Sequence, residues 1–162
     1  MKEYEYKLLQ SGCCSALVSG SYYIEDGEPV LTYDFSGLTP LSMYISEDRS
    51  RVMNCFNQGL DAVIAVAEAA VLAADYLIPA EDLSIRFSDI YFDAAGKARL
   101  MLNEEADDEC EGAAEAFRSL CREIDEAFPF TKAAGIADKI KSQNIRRILS
   151  TLSALKLEAN NY

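Results

Sequence analysis

A long amphipathic helix is the sequence feature that most constrains the fold. Apolar residues recur at helical steps of three and four, which places them in one stripe: Val52, Phe56, Leu60, Val63, Ile64, Ala67 and Val71. Ser46 is a suitable N-cap before Glu47, and Pro79 stops the pattern, so we expect a helix from about Glu47 to Tyr76. Such a stripe must be covered by other elements, and the alanine-rich second half favours close packing.

The first 35 residues favour β-strands. Tyrosine and leucine alternate with charged residues between 4 and 8, a period of two, and residues 15–24 form another β-prone run. Asp26-Gly27 is among the strongest short hairpin signals, and residues 29–35 then predict a returning strand. Residues 41–45 fit a single helical turn.

A second hairpin and two further helices are predicted after the long helix. Apolar residues on both sides of Gly96 predict a hairpin over about 88–102. Helical periodicity predicts one helix at about 113–128 and another at 132–157. The second of these carries an apolar stripe formed by Ile136, Ile140, Ile148, Leu152 and Leu155. The expected class is α+β, with a small antiparallel β part followed by a mainly helical part that contains a β-hairpin.

Charge separates the C-terminal segment from the rest of the chain. The chain has 27 acidic and 15 basic residues and a pI of about 4.4. This balance argues against a nucleic-acid partner, because phosphate contacts need a basic face. Residues 131–162 instead hold six basic and only two acidic side chains. We therefore expect a domain at 1–130 followed by a basic C-terminal helix at 131–162.

Histidine and cysteine usage limits the available chemistry. The absence of histidine from the sequence removes the commonest general base and most zinc sites. Five cysteines, an odd number without a C-x-x-C pair, favour free thiols in a reducing compartment, most of them buried as small apolar side chains. The acidic run Glu104–Glu111 lacks the ligand alternation of a calcium loop. Asp89 and Asp93 are interpreted as turn-side and surface carboxylates rather than as the acid and base of a hydrolase. No metal or cofactor is expected.

Residues 83–102 resemble the catalytic loop of a protein kinase and the hairpin after it, without the catalytic residues. Kinases carry H-R-D-L-x-x-x-N and, further on, D-F-G. Ser84 stands at the catalytic aspartate position, Asp89 at the asparagine position, and Leu102 at the first residue of D-F-G. No lysine or arginine occurs in residues 11–48, where a kinase carries its phosphate-binding lysine. The resemblance therefore implies a kinase-like fold without phosphoryl transfer.

Three short motifs at fixed spacing form a further signature: Tyr33-Asp34-Phe35-Ser36 with Leu41, Tyr76-Leu77-Ile78-Pro79 with Asp82-Leu83, and Ile90-Tyr91-Phe92-Asp93 with Gly96. With this signature the chain more closely resembles an uncharacterised family of Gram-positive bacteria whose members often precede a membrane span and a forkhead-associated domain. The resemblance covers about residues 4–130 and implies a reduced kinase-like fold, similar to the pseudokinase-like domain of the type VII secretion membrane protein.

Two functions follow as expectations. The first is a catalytically inactive protein-interaction domain in a cytosolic or membrane-linked signalling or secretion assembly. The second is a small-molecule or nucleotide sensor that uses a remodelled cleft between the lobes. The first ten residues lack the apolar stretch of a signal peptide, so a cytoplasmic location is expected, with membrane contact only through a segment beyond Tyr162. The candidate interaction residues, on the outer face of the terminal helix, are Lys139, Lys141, Arg146 and Arg147.

Overall fold

The computed structural model describes residues 3–47, 55–103 and 112–160 as a mixture of helices and small sheets. The helices are α1 (Glu3–Ser11), α2 (Leu41–Glu47), α3 (Cys55–Asp75), α4 (Ala113–Ala127), α5 (Ala134–Ala137) and α6 (Ile145–Asn160). The strands are β1 (Gly20–Glu25), β2 (Glu28–Tyr33), β3 (Thr39–Pro40), β4 (Leu83–Ser84), β5 (Ile90–Phe92) and β6 (Ala98–Leu102). The α+β class expected from the sequence is confirmed.

Strand β6 is the centre of the larger sheet. The strand order is β3-β5-β6-β4 with antiparallel pairing throughout, and the predicted hairpin around Gly96 is the β5–β6 pair. The segment before β1 adds a parallel bridge to β6, in which the Val18 N–H donates to the Leu100 carbonyl at 2.9 Å. The Leu100 N–H in turn donates to the Ala16 carbonyl at 2.8 Å. The N-terminal part is thereby bonded to the middle of the chain.

Helix α3 forms one wall of the core, as its apolar stripe predicts. Leu60, Val63 and Ile64 are buried in the same cluster as the hairpin residues Phe92 and Leu100. The side chain of Phe56, which was predicted to join them, lies outside the described residues. Small side chains let neighbours approach α3 closely; a Cβ placed on Gly59 would lie 3.0 Å from the Cβ of Thr131.

The strand predicted for the first residues is wrong, because residues 3–11 form helix α1. Its buried positions are Glu5 and Leu9, one helical turn apart, whereas Tyr4 is exposed. The alternation of tyrosine with charged residues gave the wrong period, since an amphipathic helix of two turns also places residues of both kinds in neighbouring positions. The predicted run 15–24 is a strand only from Gly20 onward.

Helix α3 ends one residue before the predicted Tyr76, and its predicted start borders residues outside the described part. Ser46 and Glu47, which are predicted to begin the long helix, lie in α2, and residues 48–54 are not described. Helix α3 ends at Asp75, before Pro79 is reached. The Ile78 N–H donates to the Ala73 carbonyl at 3.0 Å, and Leu77 adopts a left-handed φ of 65°. This is a Schellman motif with leucine where glycine is usual.

The single helix predicted for residues 132–157 is also wrong, because the chain leaves helical geometry between α5 and α6. The Asn144 side chain accepts the Arg146 N–H at 3.0 Å, which starts a new helix at that point. The predicted apolar stripe is nevertheless buried in the domain core at Ile136, Ile140, Ile148 and Leu152.

Helix α6 packs along α3 with opposite charges facing each other. Arg146 forms an ion pair with Asp75 at 2.6 Å, and Lys156 forms one with Asp61 at 2.7 Å. The basic C-terminal segment therefore folds back on the acidic body through an apolar stripe flanked by ion pairs.

Candidate functional site

The structure brings the three kinase-like positions together around the end of β6. The Ser84 hydroxyl donates to a carboxylate oxygen of Asp89 at 2.6 Å, across a separation of five residues. Leu102 is paired with Leu83, the residue before Ser84. The loop between Ser84 and Asp89 is bonded to α4, because the Phe87 N–H donates to the Glu123 carboxylate at 2.9 Å. The three positions form one local cluster, in which Ser84 is buried and Asp89 half-buried.

Tyr33, the last residue of β2, also contacts this cluster. Its hydroxyl oxygen accepts the N–H of Leu102 at 3.2 Å, although the two residues are 69 positions apart. Its ring lies 6.1 Å from that of Phe35, whose ring in turn lies 4.5 Å from that of Tyr91. Sequence reasoning placed Tyr33 only in the family signature and gave no sign of this contact, since a hydroxyl-to-backbone bond has no sequence pattern.

A carboxylate organises the turn between β5 and β6. Asp93 accepts the backbone N–H groups of Ala95 at 2.9 Å and Lys97 at 3.0 Å, and it also pairs with Arg99. Burial alone would raise the pKa of Asp93, but the bonds from Lys97, Arg99 and Ala95 outweigh it and hold the pKa below its usual value. Asp93 is therefore an anchor of the turn rather than an available acid or base.

An open cleft of about 570 Å³ lies between this turn and helix α3. Its lining includes the small side chains of Ala65 and Ala69, and the polar side chains of Ser15, Glu68 and Lys97. The volume falls within the range of small-molecule sites. The lining excludes Ser84, Asp89 and Leu102, so this cleft is separate from the cluster of kinase-like positions.

The four candidate basic residues do not share one helical face. Lys139 and Lys141 lie in the connection between α5 and α6, whereas Arg146 and Arg147 lie in the first turn of α6. All four residues are exposed. Arg146 forms the ion pair with Asp75 of the same chain, which partly neutralises the charge that it would offer to a partner. The expectation of a common outer face on one helix is corrected by the break between α5 and α6.

An exposed β-hairpin stands next to α1, and we call residues 20–33 the acidic arm. Its turn 26–27 has positive φ at both residues, 53° and 81°, as a type I′ turn requires. Tyr23 and Ile24 are 52% and 62% exposed beside the turn, which is flanked by Glu25 and Glu28. The Asp-Gly signal predicts this turn, but not that the strands remain a separate two-stranded sheet.

Of the cysteines whose side chains the structure describes, all but one are buried, as the sequence predicts. Cys13 is exposed, whereas Cys14 and Cys121 are buried, and all three are free thiols. Burial raises the pKa of Cys14 and raises that of Cys121 to about 12. Cys110 and the side chain of Cys55 lie outside the described residues.

Comparison with known proteins gives no assignment: no family model, no curated protein and no solved structure matches the chain. Within residues 3–47, 55–103 and 112–160, no helix is both long and apolar enough to cross a membrane. The same ranges hold no group of three or more histidine, cysteine, aspartate or glutamate side chains placed to bind a metal ion.

Proposed function

We propose that the chain is a catalytically inactive, reduced kinase-like domain that binds other proteins in a cytosolic or membrane-linked signalling or secretion assembly. The bond between the Tyr33 hydroxyl and the Leu102 N–H carries this proposal. In a kinase the D-F-G aspartate holds magnesium beside the nucleotide phosphates. Tyr33, at the end of β2, instead bonds to the backbone at the position that corresponds to the first residue of D-F-G.

The Ser84–Asp89 bond supports the loss of catalysis. A serine hydroxyl is not a general base at neutral pH unless another base activates it, and the bonded partner Asp89 accepts from it rather than from a substrate. The chain has no histidine to replace the missing base. These two positions serve the fold by closing the loop between β4 and β5.

The exposed apolar side chains of the N-terminal part support protein binding. Tyr23, Ile24, Phe35 and Met43 are all exposed, although large apolar side chains are costly to leave in water. Aromatic residues and methionine are enriched at protein interfaces. No lysine or arginine lies between residues 11 and 48, so a partner that covers this region would be basic.

Thermal unfolding with ATP and magnesium tests the proposal. We expect no shift, whereas a ligand at 100 times its dissociation constant would add about 2.7 kcal/mol to the free energy of unfolding. A phosphotransfer assay with a generic acceptor protein is expected to be blank as well. A magnesium-dependent rise in melting temperature would refute the inactive kinase-like interpretation.

The open cleft favours a second candidate function, the sensing of a small molecule. Its lining combines the small side chains of Ala65 and Ala69 with the charged groups of Glu68 and Lys97, so a ligand with both a cationic and an anionic group would suit it. Ligand-detected NMR with a library of zwitterionic metabolites tests this function. Ala65→Leu places a larger side chain in the lining of the cleft and should abolish any binding, while Met43→Leu, on an exposed site of α2, should not.

A further inference from the structure

The acidic arm presents a strand edge whose hydrogen-bonding groups are not used by any of the residues that the structure describes. The residues that flank the two-residue turn 26–27 pair directly, and in such hairpins the bonded pairs alternate along the strands. The Asp34 N–H donates to the Ser19 carbonyl at 2.8 Å, which confirms the phase of this alternation. The N–H and carbonyl groups of Tyr22 and Ile24 therefore point away from β2.

Of the two edges of this sheet, that of β1 is suited to receive another strand. Pro29 occupies an outward-pointing position of β2 and has no N–H, which disfavours strand addition there. The ring of Tyr6 in α1 lies 5.0 Å from that of Tyr22. Side chains stand roughly perpendicular to a sheet, so this contact places α1 on a face of the arm and leaves the β1 edge accessible at Ile24.

The charge of the arm selects the kind of strand that would bind. Glu25, Asp26 and Glu28 surround the turn, and the nearest basic residues in sequence are Lys7 and Arg49. A second copy of the chain would bring the same carboxylates and a net charge of −12. Like charges disfavour that pairing, whereas a basic segment gains from the field of the arm.

We infer that the outer edge of β1 binds an extended, basic segment of a partner protein, which adds to the arm as a third strand. The inference rests on the proposed function and names the surface and partner chemistry for it. Backbone bonds to Tyr22 and Ile24 supply the pairing, and the three carboxylates at the turn supply the preference for lysine and arginine.

A peptide of alternating valine and lysine is the probe, with a valine–glutamate peptide as its control. The readout is amide hydrogen exchange measured by NMR on the full chain. The Tyr23 N–H, which bonds within the hairpin, should be protected with or without the peptide. The N–H groups of Tyr22 and Ile24 should become protected only with the lysine peptide, and binding should weaken as salt rises.

Two substitutions at Ile24 separate strand addition from simple attraction between charges. Ile24→Pro removes an outward N–H without removing a bond to β2, and should weaken binding about tenfold. Protection of the Tyr23 N–H shows that the arm remains folded in this variant. Ile24→Ala keeps the N–H and should retain protection at Tyr22 in the complex, which keeps the test valid if the proline variant unfolds.

A charge-matched pair of triple variants tests the role of the turn. Glu25→Gln/Asp26→Asn/Glu28→Gln should weaken binding severalfold and reduce its salt dependence. Three exposed glutamates far from the arm in sequence provide a control with the same change in net charge, Glu81→Gln/Glu126→Gln/Glu158→Gln, and this variant should bind like the parent.

Three outcomes would overturn the inference. The first is absence of peptide binding, and the second is binding without protection of Tyr22 and Ile24, which would be non-specific adhesion. The third is protection of these two amides in the free chain that increases with protein concentration, which would assign the edge to a second copy. Failure of the proposed function is detected separately, because it requires a magnesium-dependent response to ATP, whatever the peptide does.

Discussion

Replacing Leu77 by glycine is expected to stabilise the chain. Leu77 follows the end of α3 with a φ of 65°, a region in which a side chain approaches the following carbonyl. Its own side chain is 75% exposed and gains little from packing. The hydrogen bonds of the Schellman motif come from backbone groups, such as the Leu77 N–H to the Ala74 carbonyl at 2.9 Å, so glycine preserves them.

The size of the expected stabilisation by Leu77→Gly follows from two opposing contributions to the free energy of unfolding. The left-handed conformation costs an L-residue about 1–2 kcal/mol, and glycine removes that cost. Glycine also makes the unfolded chain more flexible, which costs about 0.5–1 kcal/mol relative to alanine. Taken at the middle of both ranges, the net gain in the free energy of unfolding at Leu77 is about 0.75 kcal/mol.

Urea denaturation followed by circular dichroism measures the effect. With a slope of about 1–3 kcal/mol per molar, the midpoint should rise by about 0.25–0.75 M without a change in slope. Leu77→Ala is the matched control, because it removes the exposed side chain but keeps the Cβ that causes the strain. A fall in midpoint for the glycine variant, or an equal gain for alanine, would refute the reasoning.

Four further results are expected. Leu60→Ala should lower the free energy of unfolding by about 2–5 kcal/mol in urea titrations, because the side chain is fully buried; a loss under about 1 kcal/mol would contradict the assigned core. Asp93→Asn should make the free energy of unfolding depend less on pH in the acid range. The lowered pKa of Asp93 in the folded chain contributes stability above the pKa that this carboxyl has in the unfolded chain, and that stability is lost as pH falls through the folded-state pKa. In mass-spectrometric mapping of alkylation at about pH 8, Cys13 should react in the native chain and Cys121 only after unfolding, because burial raises the pKa of Cys121 to about 12. Truncation after Phe130 should yield an aggregating or much less stable chain, since it uncovers the face of α3 on which α6 packs; a monomeric product of equal stability would contradict the packing argument.

Local chemistry accounts for the parts of the fold that the sequence predicts correctly. Asp26-Gly27 and Gly96 fix two tight turns through residues that adopt positive φ, and the apolar stripe of α3 is long enough for its period to be unambiguous. The helix at residues 3–11 was missed because two turns give too few residues to separate a period of two from one of 3.6. The break before α6 was missed because the capping role of Asn144 resides in one side chain within a continuous apolar pattern.

The candidate site likewise combines one contact that is local in sequence with others that only the tertiary fold creates. Ser84 and Asp89 are five residues apart, so their contact is local, and the resemblance to the kinase loop had singled out both positions without predicting the bond between them. Tyr33 and Leu102 meet only because β2 and β6 are brought together by the tertiary fold, and no local pattern encodes that meeting. The outer edge of β1 is also a property of the tertiary fold, because it exists only where no other described strand pairs with β1.

The bridge between Leu17 and Leu100 has a consequence for the order in which the chain acquires structure during synthesis. The acidic arm closes around a local turn, an event that takes about 1–10 μs. Its neighbour at residues 16–18 bonds to a strand roughly 80 residues later, and a ribosome adding about 5–20 residues per second delivers that strand about 4–16 s afterwards. The hairpin at residues 20–33 thus closes before residues 16–18 have a partner, and the bridge to β6 forms only once residue 100 has left the exit tunnel.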